Sequence, residues 1–143
     1  MGADSLASSE DLRVASTTPK IYRAKNLLFG FSGSYGAGAL LIALLKDNPN
    51  MTIKQLAEYP PSGSDWEMLL ADAKGIYEFQ PGGGLVKMTT RKGCAYGVVG
   101  SGSSVALGSL YSWHDGRESL CSALRAAETH TNRVRGPFKI VTL

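Results

Sequence analysis

Leu27-Leu28-Phe29-Gly30-Phe31-Ser32-Gly33-Ser34 is the stretch on which the fold reading turns. Its first five residues are continuously apolar, as a strand covered on both faces must be. Ser32-Gly33-Ser34 then forms a small-residue corner, and a helix follows. In that helix Leu40, Leu41, Leu44 and Leu45 make one apolar stripe, and Asn48-Pro49 ends it. The same design recurs downstream. Tyr96–Val99 reads as a short apolar strand running into Gly100-Ser101-Gly102-Ser103-Ser104, followed by a helix carrying Val105, Leu107, Leu110 and Trp113.

Outward from these junctions the remaining elements fall into place. Lys20–Arg23 precedes the first apolar strand across a turn at 24–26. Met51–Tyr59 reads as a short helical segment, and Pro60-Pro61-Ser62-Gly63-Ser64 as a loop. Trp66–Ala73 and Gly75–Gln80 form a hairpin, with Leu85–Met88 returning after Pro81-Gly82-Gly83-Gly84. Asp115 and Glu118 give a capping-box pattern for a last helix bearing Leu120, Cys121, Leu124 and Ala127. Arg135-Gly136-Pro137 breaks it before a final strand over Phe138–Leu143. Hairpins between helix pairs predict an α+β fold: two stacked antiparallel sheets with helices outside near 35–46, 103–113 and 116–130. A Rossmann corner would need a third glycine after Gly100-Ser101-Gly102, and a P-loop a lysine after either corner. Neither is present.

The totals agree with one domain spanning 1–143. Hydrophobic residues are 43% and charged residues 19% of the chain, a globular composition. The net charge of +3 is scattered, with no basic run interleaved with aromatics, which argues against nucleic acid. The apolar stretch 37–45 is too short to span a bilayer. Asp4, Glu10 and Asp11 interrupt any signal-like start. Cys94 and Cys121 lack metal spacing and suit a reducing compartment, so the expected location is cytoplasmic, with no cofactor. His114 and His130 have no second ligand at metal spacing and read as structural, and Cys121 as core.

Four pieces in register resemble the N-terminal-nucleophile hydrolases of the proteasome β-subunit and bacterial HslV type. They are Gly2-Ala3-Asp4-Ser5, the strand opening Thr18-Pro19-Lys20-Ile21-Tyr22-Arg23, the corner Gly30-Phe31-Ser32-Gly33-Ser34, and the corner Gly100-Ser101-Gly102-Ser103. Lys20 follows Asp4 by 16 positions, the family's spacing. The resemblance implies a four-layer αββα sandwich lacking its first strand. It implies peptide-bond hydrolysis by a first-residue nucleophile whose α-amine is the base. Lys20 would lower the nucleophile's pKa, Asp4 would hold Lys20, Gly33 would donate to the oxyanion, and Ser101 would support the nucleophile. Partners implied are like subunits in a homo-oligomeric ring and a peptide or unfolded-protein substrate, with room for an ATP-dependent unfoldase.

Set beside the family, the chain departs in two ways. The family's nucleophile opens a strand preceding the Gly2-Ala3-Asp4 segment, where this sequence has Met1; Thr17 and Thr18 are internal and carry no free amine. The Asp expected to support the nucleophile's amine falls near Thr131, and a supporting Ser falls at Val134. The reading is therefore a threonine-type peptidase subunit that is inactive as the 143 residues stand. Either Met1 is an internal Met of a longer product, or the chain is a short form, for example virus- or phage-borne. The alternative is a non-catalytic structural or assembly subunit reusing the fold.

Overall fold

The computed structural model describes residues 1–4, 6–8, 13–15, 19–88, 95–112 and 116–142. Readings that involved Ser5, Thr17, Thr18, Cys94, Trp113, His114, Asp115 and Leu143 lie outside these residues. The centre is a five-stranded antiparallel sheet in simple meander order. It comprises β4 (Ile21–Ala24), β5 (Leu27–Gly33), β6 (Trp66–Asp72), β7 (Gly75–Gln80) and β8 (Gly84–Met88). Two short pairs precede or flank it: β1 (Gly2–Ala3) with β9 (Lys139–Ile140), and β2 (Leu6–Ser8) with β3 (Arg13–Ala15).

Period-2 alternation sorts the sheet's side chains. Leu27, Phe29 and Phe31 of β5 and Trp66, Met68 and Leu70 of β6 face one way, with Phe79 of β7 beside them. They pack on α1 (Tyr35–Asp47) and α2 (Ile53–Leu56) to form the main core. Ser34 caps α1 by accepting from the Ala37 amide at 3.4 Å. The buried face of α1 is Ala37, Gly38, Leu41, Ile42 and Leu45. The expected leucine stripe is thus rotated: Leu41 and Leu45 are buried, while Leu40 stays 58% exposed. α2 is shorter than expected because its capping box, Thr52 with Gln55, supports one turn, after which Glu58 and Tyr59 bond three residues back.

The opposite face shows Ile21, Gly30 and Leu69 in one row, with Leu28 and Ala71 alongside. This face is covered by the segment 95–100, by β1 and β9, and beyond them by α3 (Ser103–Ser112) and α4 (Gly116–His130). A second, smaller core joins Ala106 and Leu110 of α3 to Ala123 and Ala127 of α4, with Tyr96, Val98 and Val134 against it. The order of layers is helix, sheet, thin β layer, helices. An apolar cavity of about 690 Å³ remains between them, walled by Leu69, Ala71, Tyr96, Leu110 and Leu120.

Three further expectations are corrected. Tyr96–Val99 is not a strand: among the described residues its backbone pairs with no neighbouring strand. The last strand is two residues, Lys139–Ile140, because β1 offers a partner only that long. Cys121 is half-buried on the flank of α4 rather than inside the core.

Gly38 is where α1 touches the sheet most closely. A methyl group there would stand 2.4 Å from the Phe31 ring. Gly38→Ala should lower stability by about 1–3 kcal/mol through overpacking. Gly108→Ala, in α3 with open space around it, should raise stability by up to about 1 kcal/mol. Urea denaturation of both variants checks the pair.

Candidate active site

Lys20 sits at a bend immediately before β4, and its carbonyl accepts from the Phe31 amide at 3.0 Å. That bond fixes the backbone, and the bend lets the side chain join Ile21 and Gly30 in the wall of a cavity of about 120 Å³. Asp4 reaches the same wall directly after β1. Lys20 Nζ donates to Asp4 Oδ1 at 2.6 Å, and the two side chains keep only 15% and 13% of their exposure. A charge-assisted bond this short, so far removed from water, is worth more than a surface ion pair.

Ser101 lines the cavity from the facing corner. Gly100 precedes it with φ of +99°, a backbone open to glycine at little cost, and a Cβ there would fall 2.6 Å from Ser32 Oγ. The Gly100 amide donates to Glu67 Oε2 at 2.6 Å. Glu67 faces the same side of the sheet as its cross-strand partner Ser32, so the carboxylate pins the corner to β5 and β6. Sequence reasoning missed Glu67; a lone Glu in an apolar strand run was the available signal.

Gly33 behaves otherwise. It does not line the cavity that Lys20, Asp4 and Ser101 share. Its φ is +84°, and a Cβ would meet the Asp65 carbonyl oxygen at 2.5 Å, so the strand-to-helix corner itself demands glycine. The Ser34 amide next to it donates to that same Asp65 oxygen at 2.7 Å. Ser32, one residue earlier, is the β5 corner residue that does line the cavity.

Across the cavity lies the turn after α4. Thr131 Oγ1 is buried with no hydrogen-bond partner among the described residues. Val134 packs on Gly102: a Cβ at Gly102 would lie 2.7 Å from Val134 Cγ2 and 3.0 Å from Ala127 Cβ. Among the described residues no group of His, Cys, Asp and Glu could hold a metal ion, and no helix is long and apolar enough to cross a membrane.

Solved structures share this arrangement of layers. BPH of Thiobacillus denitrificans, in complex with epoxomicin, matches with a TM-score of 0.73 at 16% identity, over 96% of this chain and 88% of that one. HslV of Trypanosoma brucei matches with a TM-score of 0.71 at 18% identity, again over 96% and 88%. The chain has the HslV-type proteasome fold. No family model and no curated protein matches the sequence. The α+β class expected from the strand–corner–helix junctions is the one found.

Within this HslV-like frame the Met1 amine is half-buried and donates to the Val141 carbonyl at 2.7 Å, and burial lowers its pKa from 8.0. The folded chain therefore releases that proton at lower pH than the unfolded chain does. Between the two pKa values the unfolded state binds more protons, so stability rises with pH through the window just below 8.0. Melting curves of the 143-residue chain across that window should show the rise, and acetylating the amine should flatten it. Asp4→Asn, which leaves the Lys20 ammonium without its countercharge, should cost about 1–3 kcal/mol in urea denaturation.

Proposed function

We propose that this chain is a proteasome-like, threonine-type peptidase subunit, built for amide hydrolysis by an N-terminal nucleophile inside a ring of like subunits and inactive as the 143 residues stand. One observation carries the reading: a half-buried lysine held by a carboxylate at 2.6 Å, in a cavity that Ser101 also lines, on this fold. A cation so placed favours the ionised form of a nearby hydroxyl. The chemistry runs in two steps. The hydroxyl oxygen attacks the substrate carbonyl carbon while its proton passes to the α-amine, and the amine then protonates the departing nitrogen. Water hydrolyses the resulting ester. Lys20 stabilises the attacking oxygen, Asp4 holds Lys20, and Ser101 supports the nucleophile. Gly33 is assigned the oxyanion only if substrate binding brings its amide toward the cavity that Ser32 lines.

The nucleophile must combine an amine with a hydroxyl or thiol on one residue. Met1 has neither hydroxyl nor thiol, and Gly2 has no side chain. A non-catalytic subunit is the second reading, and the Thr131–Val134 turn favours it. A neutral hydroxyl without a partner and an apolar side chain stand where the peptidase reading wants a carboxylate and a hydroxyl.

Assembly into a ring is supported by exposed apolar surface on two helices. Leu40 of α1 is 58% exposed, and Leu107 and Tyr111, one turn apart on α3, are 45% and 67% exposed. Light scattering should give a mass several times the 15.2 kDa of one chain; a monomer at micromolar concentration rules the ring out.

Activity distinguishes the two readings. The 143-residue chain should release no fluorophore from peptide amides. A version extended by a strand that opens with Thr should do so, and Lys20→Ala in that version should lose about 10²–10³-fold in kcat. Cleavage that survives Lys20→Ala would move the nucleophile's partner elsewhere, and an inert extended chain would leave the non-catalytic reading standing.

A further inference from the structure

The turn that follows α4 is held at three points. The Thr131 amide donates to the Ala127 carbonyl at 2.9 Å, and the Gly136 amide donates to Glu128 Oε1 at 2.9 Å. Between these bonds Val134 is seated on Gly102, in space that any Cβ at Gly102 would occupy. The turn is thereby fixed against the Gly100-Ser101-Gly102 corner, and Arg133 is brought into the wall of the cavity that contains Lys20, Asp4 and Ser101.

The charges in that wall do not balance. Lys20 is matched by Asp4 at 2.6 Å. Arg133 meets no carboxylate among the described residues. Two other carboxylates are engaged elsewhere: Glu128 accepts from the Gly136 amide, and Glu67 accepts from the Gly100 amide without lining the cavity. Arg133 is exposed at the cavity's edge, and its guanidinium presents a planar fork of donors suited to a carboxylate. The volume of about 120 Å³ admits a single small group rather than a length of peptide.

We infer that Arg133 is a specificity-determining residue that receives a carboxylate of the bound peptide beside Lys20, so that the site selects acidic peptides. The inference rests on the proposed peptidase reading for the class of ligand alone. A carboxylate reaches Arg133 from one of two sources, an Asp or Glu side chain or a peptide C-terminus. The selectivity is set by the charge of Arg133 and its fixed turn, with Lys20 kept neutral overall by Asp4.

Binding tests this without catalysis. Three peptides are titrated into the 143-residue chain by calorimetry: acetyl-Ala-Ala-Asp-amide, acetyl-Ala-Ala-Ala with a free C-terminus, and acetyl-Ala-Ala-Ala-amide. At least one of the two carboxylate peptides should bind about tenfold or more tighter than the neutral one. The tighter of the two identifies the source. Raising salt from about 50 to about 500 mM should shrink the advantage. Arg133→Gln should abolish it, and Arg133→Lys should keep part of it, with melting curves showing that both variants fold. Equal binding of all three peptides, binding of none, or a preference that survives Arg133→Gln overturns the inference. Its failure is separable from that of the peptidase reading. Carboxylate preference without cleavage by the Thr-extended chain refutes the peptidase reading alone, and cleavage without carboxylate preference refutes the role of Arg133 alone.

Discussion

A β-sheet with apolar side chains on both faces has to be covered twice, and the other features of this molecule follow from that requirement. Phe29, Phe31, Trp66, Met68 and Leu70 need α1 and α2 on one side. Leu28, Leu69 and Ala71 need cover on the other, and they receive it from a thin β layer backed by α3 and α4. The two cores differ in character. The first is dense with aromatic rings, including the stacked Phe29–Phe31 pair with centroids 5.9 Å apart. The second is built on alanines, Ala106, Ala123 and Ala127, whose small side chains let α3 and α4 approach each other but fill little volume. The loosely filled side is the one that holds the cavities, and the site lies there.

The two small-residue corners make that placement possible. Each takes the chain from the sheet layer to the helix layer within two or three residues, and each uses a glycine at positive φ, Gly33 in one and Gly100 in the other. They are not equivalent. Gly33 is locked into backbone contact with Asp65, so its corner is closed by the sheet's own hydrogen bonding. Gly100 is tied instead by a side chain, Glu67, and its neighbour Ser101 is left facing the cavity. The Gly100 corner is therefore open to change at a second position, Glu67, whereas the Gly33 corner is sensitive at the glycine itself.

The sequence made the helices, the hairpins and the Asp4–Lys20 pair legible, and for identifiable reasons. Periodicity finds elements that bury a face, and the 16-residue spacing joined two charges that local pattern alone would have left as a turn residue and an edge residue. Tyr96–Val99 misled because an apolar run signals contact with a core but says nothing about hydrogen-bond partners, and the segment, half-buried, lies with Gly97 close to Leu69 and Met88 without joining the sheet. Leu40 misled because four leucines on one helix exceed the width of the buried stripe. Glu67 and Arg133 were out of reach. The first matters through an amide 33 residues away. The second matters through a turn whose position depends on the absence of a side chain at Gly102, and neither relation leaves a local mark.

Electrostatics sets the last constraint. Two cationic side chains, Lys20 and Arg133, line one cavity of about 120 Å³, and Asp4 neutralises the less exposed of them. Lys20 holds Asp4 Oδ1 at 2.6 Å, and no carboxylate is paired with Arg133 among the described residues. On the proposed reading this separates two tasks that a single lysine would otherwise share. Lys20 with Asp4 is a preorganised, nearly neutral unit that can stabilise charge appearing on a neighbouring oxygen during reaction. Arg133 remains available to a charge already present on the ligand before reaction. A group stabilised only as the reaction proceeds raises the rate, and a group already paired in the bound state raises affinity. On the proposed reading the two effects belong to different side chains, on different elements, meeting at one cavity.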